Sequence, residues 1–149
     1  MIERILQRFS WLVEKYYVEI FVLEALLILL IYPSLRLAEK IMIAAIITTI
    51  SSEGIKILIR EKRPKSAPER RLHRGIFRIN LGSFPSTHSA VAFMFSALLV
   101  GSTLFFPFFV FAAIIAYTRV YIKSHYIHDV IAGGLLGFVV GYAVLSMVI

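Results

Sequence analysis

Apolar residues fall in five long runs, preceded by one amphipathic stretch. In residues 1–17, Ile2, Ile5, Leu6, Phe9, Leu12, Val13 and Tyr16 recur at helical spacing, with Glu3, Arg4, Arg8 and Glu14 elsewhere. That pattern predicts a short amphipathic helix on a membrane surface, or an extension of the next helix into water. Val18–Tyr32, which can begin at Trp11, is the first spanning run; Glu19 and Glu24 interrupt it and Pro33 ends it. Ser34–Lys40 reads as a short polar turn. The second span runs from Ile41 to about Ile59, the third from Ser86 to Phe106 and the fourth from Pro107 to about Ile122. The fifth runs from His128 or Asp129 to Ile149. Arg60–Pro85 is the one long loop, where Pro64 and Pro68 prevent a continuous helix. The expected fold is all-α: a polytopic transmembrane bundle of about five spanning helices plus the N-terminal amphipathic helix. Residues 1–149 then form a single integral-membrane domain.

Composition agrees. The chain is 59% hydrophobic, above the half-apolar make-up of soluble domains, and the excess lies in the runs. No run has the layout of a cleavable signal peptide. The absence of cysteine excludes disulfides and thiolate metal sites. The net charge of +7 fits anionic headgroups, phosphate substrates or topology signals. A nucleic-acid partner is not expected, since no basic-aromatic face stands outside the apolar runs. The expected location is a prokaryotic cell membrane.

Polar groups inside a membrane are costly and tend to have a function. Follow the hairpins, and the end of span two, the start of span three, the end of span four and the start of span five meet on one membrane face. Lys56, Arg63 and Arg119 bring three cations to that face. Ser86, Thr87 and His88 open span three, where a helix N-terminus offers unpaired N–H groups to an anion. Lys56 and Arg63 share a face if the helix extends that far; with Pro64 next, Arg63 can instead reach back from the loop. Glu53 can pair with Lys56, and His125 with Asp129, across one helical turn. A carboxylate beside an imidazole fixes its tautomer and supports charge on the ring. Three cations with backbone donors suit a phosphate group, and two imidazoles supply acid–base and nucleophilic chemistry near neutral pH. No obvious metal cage remains, so the expectation is phosphoryl transfer with neither metal nor cofactor. His128 lies off the His125–Asp129 face and His73 lies in the basic loop; both read as ordinary polar residues. Gly133, Gly137 and Gly141 form a small-residue stripe that lets a helix approach closely. Packing within the bundle is its expected use, and a homodimer contact is the alternative.

The chain resembles the type-2 phosphatidic acid phosphatase superfamily, the lipid phosphate phosphatases related to vanadium haloperoxidases. Three signatures carry the resemblance: Lys56–Arg63–Pro64, Pro85–Ser86–Thr87–His88, and Thr118–Arg119 followed by His125 and Asp129. Their order and spacings agree with the family over residues about 56 to 140. Thr87 stands where the family has glycine, and Thr118 where it has serine. The resemblance implies that His125 attacks phosphorus to form a phosphohistidine and that Asp129 supports its ring. His88 then protonates the leaving oxygen and afterwards helps water attack. Lys56, Arg63 and Arg119 grip the phosphate oxygens, with Ser86 and Thr87 assisting. It implies an integral-membrane phosphatase acting on a polyprenyl diphosphate, phosphatidylglycerol phosphate or phosphatidate, with membrane lipids around it.

The family usually has six spans, and five are counted here, the deficit lying before the first signature. With five, the N-terminus shares the site's face. All sixteen Lys and Arg except Arg36 and Lys40 then lie on that face. The positive-inside rule points it to the cytoplasm, whereas family members place it outside, so the face is left open. A phosphotransferase using the same site is a second enzymatic reading. A non-enzymatic anion- or lipid-binding bundle is a third, although conduction would not need His88 or the His125–Asp129 pair.

Overall fold

The computed structural model describes residues 2–64, 71–74, 77–80 and 82–147. Among these, the helices are α1 (Ile2–Lys15), α2 (Tyr17–Ile31), α3 (Leu35–Ile59), α4 (Thr87–Leu98), α5 (Phe105–Tyr121) and α6 (Ile127–Ser146). The strands β1 (Arg71–Arg74) and β2 (Phe77–Asn80) form an antiparallel hairpin with Leu72 opposite Ile79. The architecture is therefore the expected all-α bundle, with one short hairpin in the long basic loop. Residues 71–74 and 77–80 alternate apolar and polar well enough to pair as strands. Lys65, Pro68 and Arg70 lie outside the described residues, as do the side chains of Arg71, His73, Arg74 and Arg78 and the last two residues of the fifth run.

The outward faces show that this is an integral membrane protein. Leu23, Leu26 and Leu30 of α2 are exposed, as are Ile131, Leu135 and Val139 of α6. Rows of exposed aliphatics on several helices would be an aggregation liability in water and are the normal surface toward lipid. α3 and α6 are long and apolar enough to cross a membrane. At about 1.5 Å per residue α6 rises about 30 Å, the thickness of the hydrocarbon layer.

Two boundaries differ from expectation. Ser34–Lys40 is not a turn. The Ser34 side chain caps α3 by accepting the Leu37 N–H at 3.4 Å, so the helix starts at Leu35. Lys40, on that added turn, donates to the Leu145 carbonyl at 2.7 Å and ties α3 to the C-terminal end of α6. The third run is not one helix to Phe106. α4 stops at Leu98, and a turn containing Gly101, at φ 86°, leads into α5. Twelve residues rise only about 18 Å, too little to span alone. The shortness is tolerated because α4 sits at the centre of the bundle, buried along nearly all its length among α2, α3, α5 and α6. Non-helical backbone at membrane depth is stable where protein covers it, and Leu99 is buried.

Two apolar clusters hold the bundle. Ile28, Ile41, Met94, Phe95, Leu98, Phe108 and Val144 fill the half away from the signatures. Val13, Ala92, Ala112 and Ile115 join α1, α4 and α5 in the other half. The glycine stripe is buried and used inside the chain: Cβ atoms at Gly133 and Gly137 would run into the carbonyls of Ser86 and Ala90 on α4. The expected alternative, a homodimer contact through Gly133, Gly137 and Gly141, is corrected by this packing, because α4 already covers the stripe.

Candidate active site

The site forms where α3 ends, α4 begins, α5 ends and α6 begins. α3 stops because Arg60 turns left-handed, at φ 52°, with its N–H still bonded to the Lys56 carbonyl. The chain then runs non-helically through Arg63 to Pro64, so Lys56 and Arg63 do not share a helical face. Arg63 instead reaches back and donates from Nη1 to the Ser124 carbonyl at 3.1 Å. Lys56 is buried and donates to Glu53 Oε1 at 2.7 Å and to Thr87 Oγ1. Thr87 in turn donates to Glu53 Oε1 at 2.7 Å. The threonine at the glycine position therefore joins α3 to the first turn of α4, a link glycine could not make.

α4 starts on a serine cap. Ser86 accepts from the Ser89 N–H and hydroxyl at 3.5 and 3.1 Å, and its own N–H donates to the Asp129 carbonyl at 3.0 Å. His88 follows one residue into the helix, is buried, and lies 4.8 Å from the Tyr17 ring of α2. The first N–H groups of a helix have no partner within it and carry the positive end of its dipole. That end points into the region where Lys56 and Thr87 meet.

α5 closes on a tight turn. The Arg119 carbonyl accepts from both Ser124 N–H (3.0 Å) and His125 N–H (3.2 Å), with Lys123 left-handed at φ 55°. This fold-back delivers His125, nearly fully buried, just before α6. His125 Nδ1 lies 3.4 Å from Asp129 Oδ2. Asp129 is fully buried, and the same oxygen accepts from the Tyr126 N–H at 2.9 Å and from the Ser83 hydroxyl. With Nδ1 turned toward the carboxylate, Nε2 is the ring nitrogen left to carry a lone pair outward. Burial lowers the His125 pKa, Arg63 and Lys56 push the same way, and Asp129 opposes them.

Of the expected site residues, Lys56, Arg63, Ser86, Thr87, His125 and Asp129 are joined by this chain of contacts, and His88 adjoins it through Thr87. Arg119 enters differently. Its carbonyl holds the His125 turn, but its fully buried guanidinium is turned to α1. There Nη1 pairs with Glu14 Oε2 and Nη2 donates to the Ser10 carbonyl at 3.1 Å, while Nε donates to Thr118 Oγ1 at 3.2 Å. α1 thus packs an inward stripe on α5 as well as presenting an amphipathic outer face. Sequence reasoning missed Ser83, Ser10 and the inward role of Glu14. Ser83 sits two residues before the second signature, and nothing in the pattern of α1 separates Glu14 from an ordinary surface charge.

His128 has more structure than expected. It stacks on Tyr126 and lies 2.8 Å from Glu61 Oε1 and 3.1 Å from Asp129 Oδ1. Among the described residues, these are the three donor groups close enough together to hold a metal ion. The His128–Glu61 hydrogen bond braces the connector after α3 against the start of α6.

The arrangement places a carboxylate-backed imidazole, a second imidazole and cations around a helix N-terminus. A model of the PAP2 superfamily matches residues 35–149. The fold is similar to a solved structure described as the first transmembrane PAP2 type phosphatidylglycerolphosphate phosphatase from Bacillus subtilis. The TM-score is 0.69 and the identity 18%, over 96% of this chain and 74% of that one. No curated protein matches significantly.

Proposed function

We propose that this chain, which belongs to the PAP2 superfamily, is a prokaryotic membrane phosphatase that cleaves a lipid phosphate or diphosphate through a phosphohistidine, without metal. The observation that carries the reading is the His125–Asp129 pair, buried at the mouth of α6 and hydrogen-bonded through Asp129 to the start of α4. The Nε2 lone pair of His125 attacks phosphorus as the bond to the leaving oxygen breaks. His88 gives that oxygen its proton, then takes one from the water that attacks the phosphohistidine, releasing phosphate and restoring His125. Asp129 offsets the positive charge that the ring gains on attack. Lys56, Arg63 and Arg119, with the N–H groups around Thr87, hold the phosphate oxygens. Removing one such positioned donor often costs ~100-fold in rate.

The lipid-facing helix surfaces suit a substrate whose tail stays in the bilayer while its phosphate enters between the helix ends. Polyprenyl diphosphates, phosphatidylglycerol phosphate and phosphatidate all have that form. The test is phosphate release by detergent-solubilised protein in the presence of a chelator, with the three lipids offered in parallel. Release from at least one is expected. His125→Ala should abolish it, and acid-labile phosphate should be trapped on His125 in a quenched wild-type reaction. Near-normal release by His125→Ala, or release that stops when chelator is added, would overturn the mechanism.

A further inference from the structure

Arg119 is held by a helix that lies outside the residues matched to the superfamily. That match begins at Leu35, whereas Glu14 and Ser10 sit on α1. The guanidinium is fully buried, and each of its three nitrogens donates to a protein acceptor, two of them on α1. A buried cation needs a partner, and a carboxylate supplies the strongest bond and the compensating charge. The carbonyl of this same arginine holds the backbone of His125. One residue therefore links α1 to the nucleophile's turn.

The placement of α1 is itself well fixed. Val13 is buried against Ala112 and Ile115 of α5. Ile5 and Leu12 are exposed, as is Tyr16 just after the helix, and Lys15 lies 4.8 Å from the Trp11 ring centroid. Apolar and aromatic residues next to a basic one suit the headgroup level of a bilayer. α1 is thus anchored both to the bundle and to the membrane surface, and it presents Glu14 to Arg119 from that seat.

We propose that Glu14 is a positioning residue for phosphate cleavage: by pairing with the buried Arg119 guanidinium from α1 it sets where that cation sits relative to the phosphate, making α1 a working part of the site. The proposal rests on the reading of Arg119 as a phosphate-gripping residue. A donor already aimed costs no reorganisation in the transition state, so losing the aim should lower kcat more than it raises KM.

A double-mutant cycle tests it, using whichever of the three lipids the wild type cleaves fastest. The proteins are wild type, Glu14→Gln, Arg119→Lys and the double variant. Gln keeps the shape and one acceptor, so Glu14→Gln is expected to fold, as judged by elution volume and Tm. If it does not, Glu14→Asp takes its place in the cycle. Glu14→Gln should lower kcat about tenfold with KM within about twofold, and Arg119→Lys should lower it ~100-fold. In the Arg119→Lys background Glu14→Gln should add less than about a twofold loss, because the group it aims is gone. Wild-type kcat in Glu14→Gln beside a crippled Arg119→Lys would overturn the positioning role alone. So would strictly additive losses, or a rise in rate that showed Glu14 holding Arg119 away from phosphate. Near-normal activity in Arg119→Lys would instead sink the reading of Arg119 on which the proposal stands.

Discussion

The site is gripped from two sides, and the two sides are built differently. On one, α6 lies so close to α4 that backbone meets backbone along Gly133, Gly137 and Gly141. The Asp129 carbonyl takes the Ser86 N–H, and its side chain takes the Ser83 hydroxyl. On the other, α1 meets α5 through Val13, a small apolar cluster and the Glu14–Arg119 ion pair. The first contact has almost no adjustable part, while the second is made by side chains that can turn. The difference matches the chemistry. In the proposed mechanism His88 and His125 act on one phosphorus from fixed positions, His88 from α4 and His125 from the turn just before α6. The charge on Arg119 acts over a longer range and can be set by a replaceable partner.

The sharpest way to break this comparison is to add a methyl group on one side and to remove methyl groups from the other. Gly137→Ala sets a Cβ against the Ala90 carbonyl, and backbone cannot step aside as a flexible side chain could. The cost should be at least about 3 kcal/mol, enough to lose most folded protein on size-exclusion chromatography. Val13→Ala removes buried methyl groups from the α1–α5 contact and should cost about 2 kcal/mol, a fall in Tm with the fold retained. If Gly137→Ala melted no lower than Val13→Ala, the rigid and adjustable sides would not be distinct.

A smaller effect separates the groups that hold Asp129. Ser83 donates to the oxygen that faces His125, and the Tyr126 N–H supports it from within α6. Ser83→Ala leaves the backbone bond and removes the one from the loop before α4. A hydrogen bond to a buried carboxylate is worth about 1.5 kcal/mol, or roughly tenfold in kcat if it acts wholly on the chemical step. Steady-state kinetics with the fastest lipid would show it. An unchanged kcat would mean that Tyr126 alone holds the carboxylate.

Much of this was legible in the sequence, for a physical reason. Residues that must be polar inside a bilayer stand out against apolar runs, so Lys56, Ser86–His88, Arg119, His125 and Asp129 could be read directly, and hairpin alternation brought them to one face. Helix limits were read less well at Ser34, where a cap outweighed a polar composition, and at Leu98, where burial by neighbours let a helix stop halfway through the membrane. Glu14 was not legible, because it lies in a helix with ordinary surface charges and its role depends on which way α1 rolls onto α5. Ser83 was hidden in the same way: a lone serine in a loop gives no sign of what it will touch.

The smallest expected effect concerns pH, and it sorts the charges on the two sides. In the proposed mechanism attack needs the neutral imidazole of His125, and burial with Arg63 and Lys56 holds its pKa below the ordinary value against the pull of Asp129. A lowered pKa means the ring stays neutral further into the acid range. kcat/KM should therefore hold through neutral pH and fall only as the pH drops through the lowered value, where Nε2 gains a proton and loses its lone pair. Arg63→Gln removes a cation facing His125 and should move this acid limb to higher pH. Asp129→Asn removes the carboxylate that favours the protonated ring and should move it lower. Each limb is read from the shape of a variant's own profile, so a loss in absolute rate does not obscure it. Glu14→Gln acts on Arg119 from the α1 side and should leave the limb where it was while lowering the plateau. A limb that moved with Glu14→Gln but not with Arg63→Gln would reverse the assignment, making the α1 side the one that sets the charge on the nucleophile.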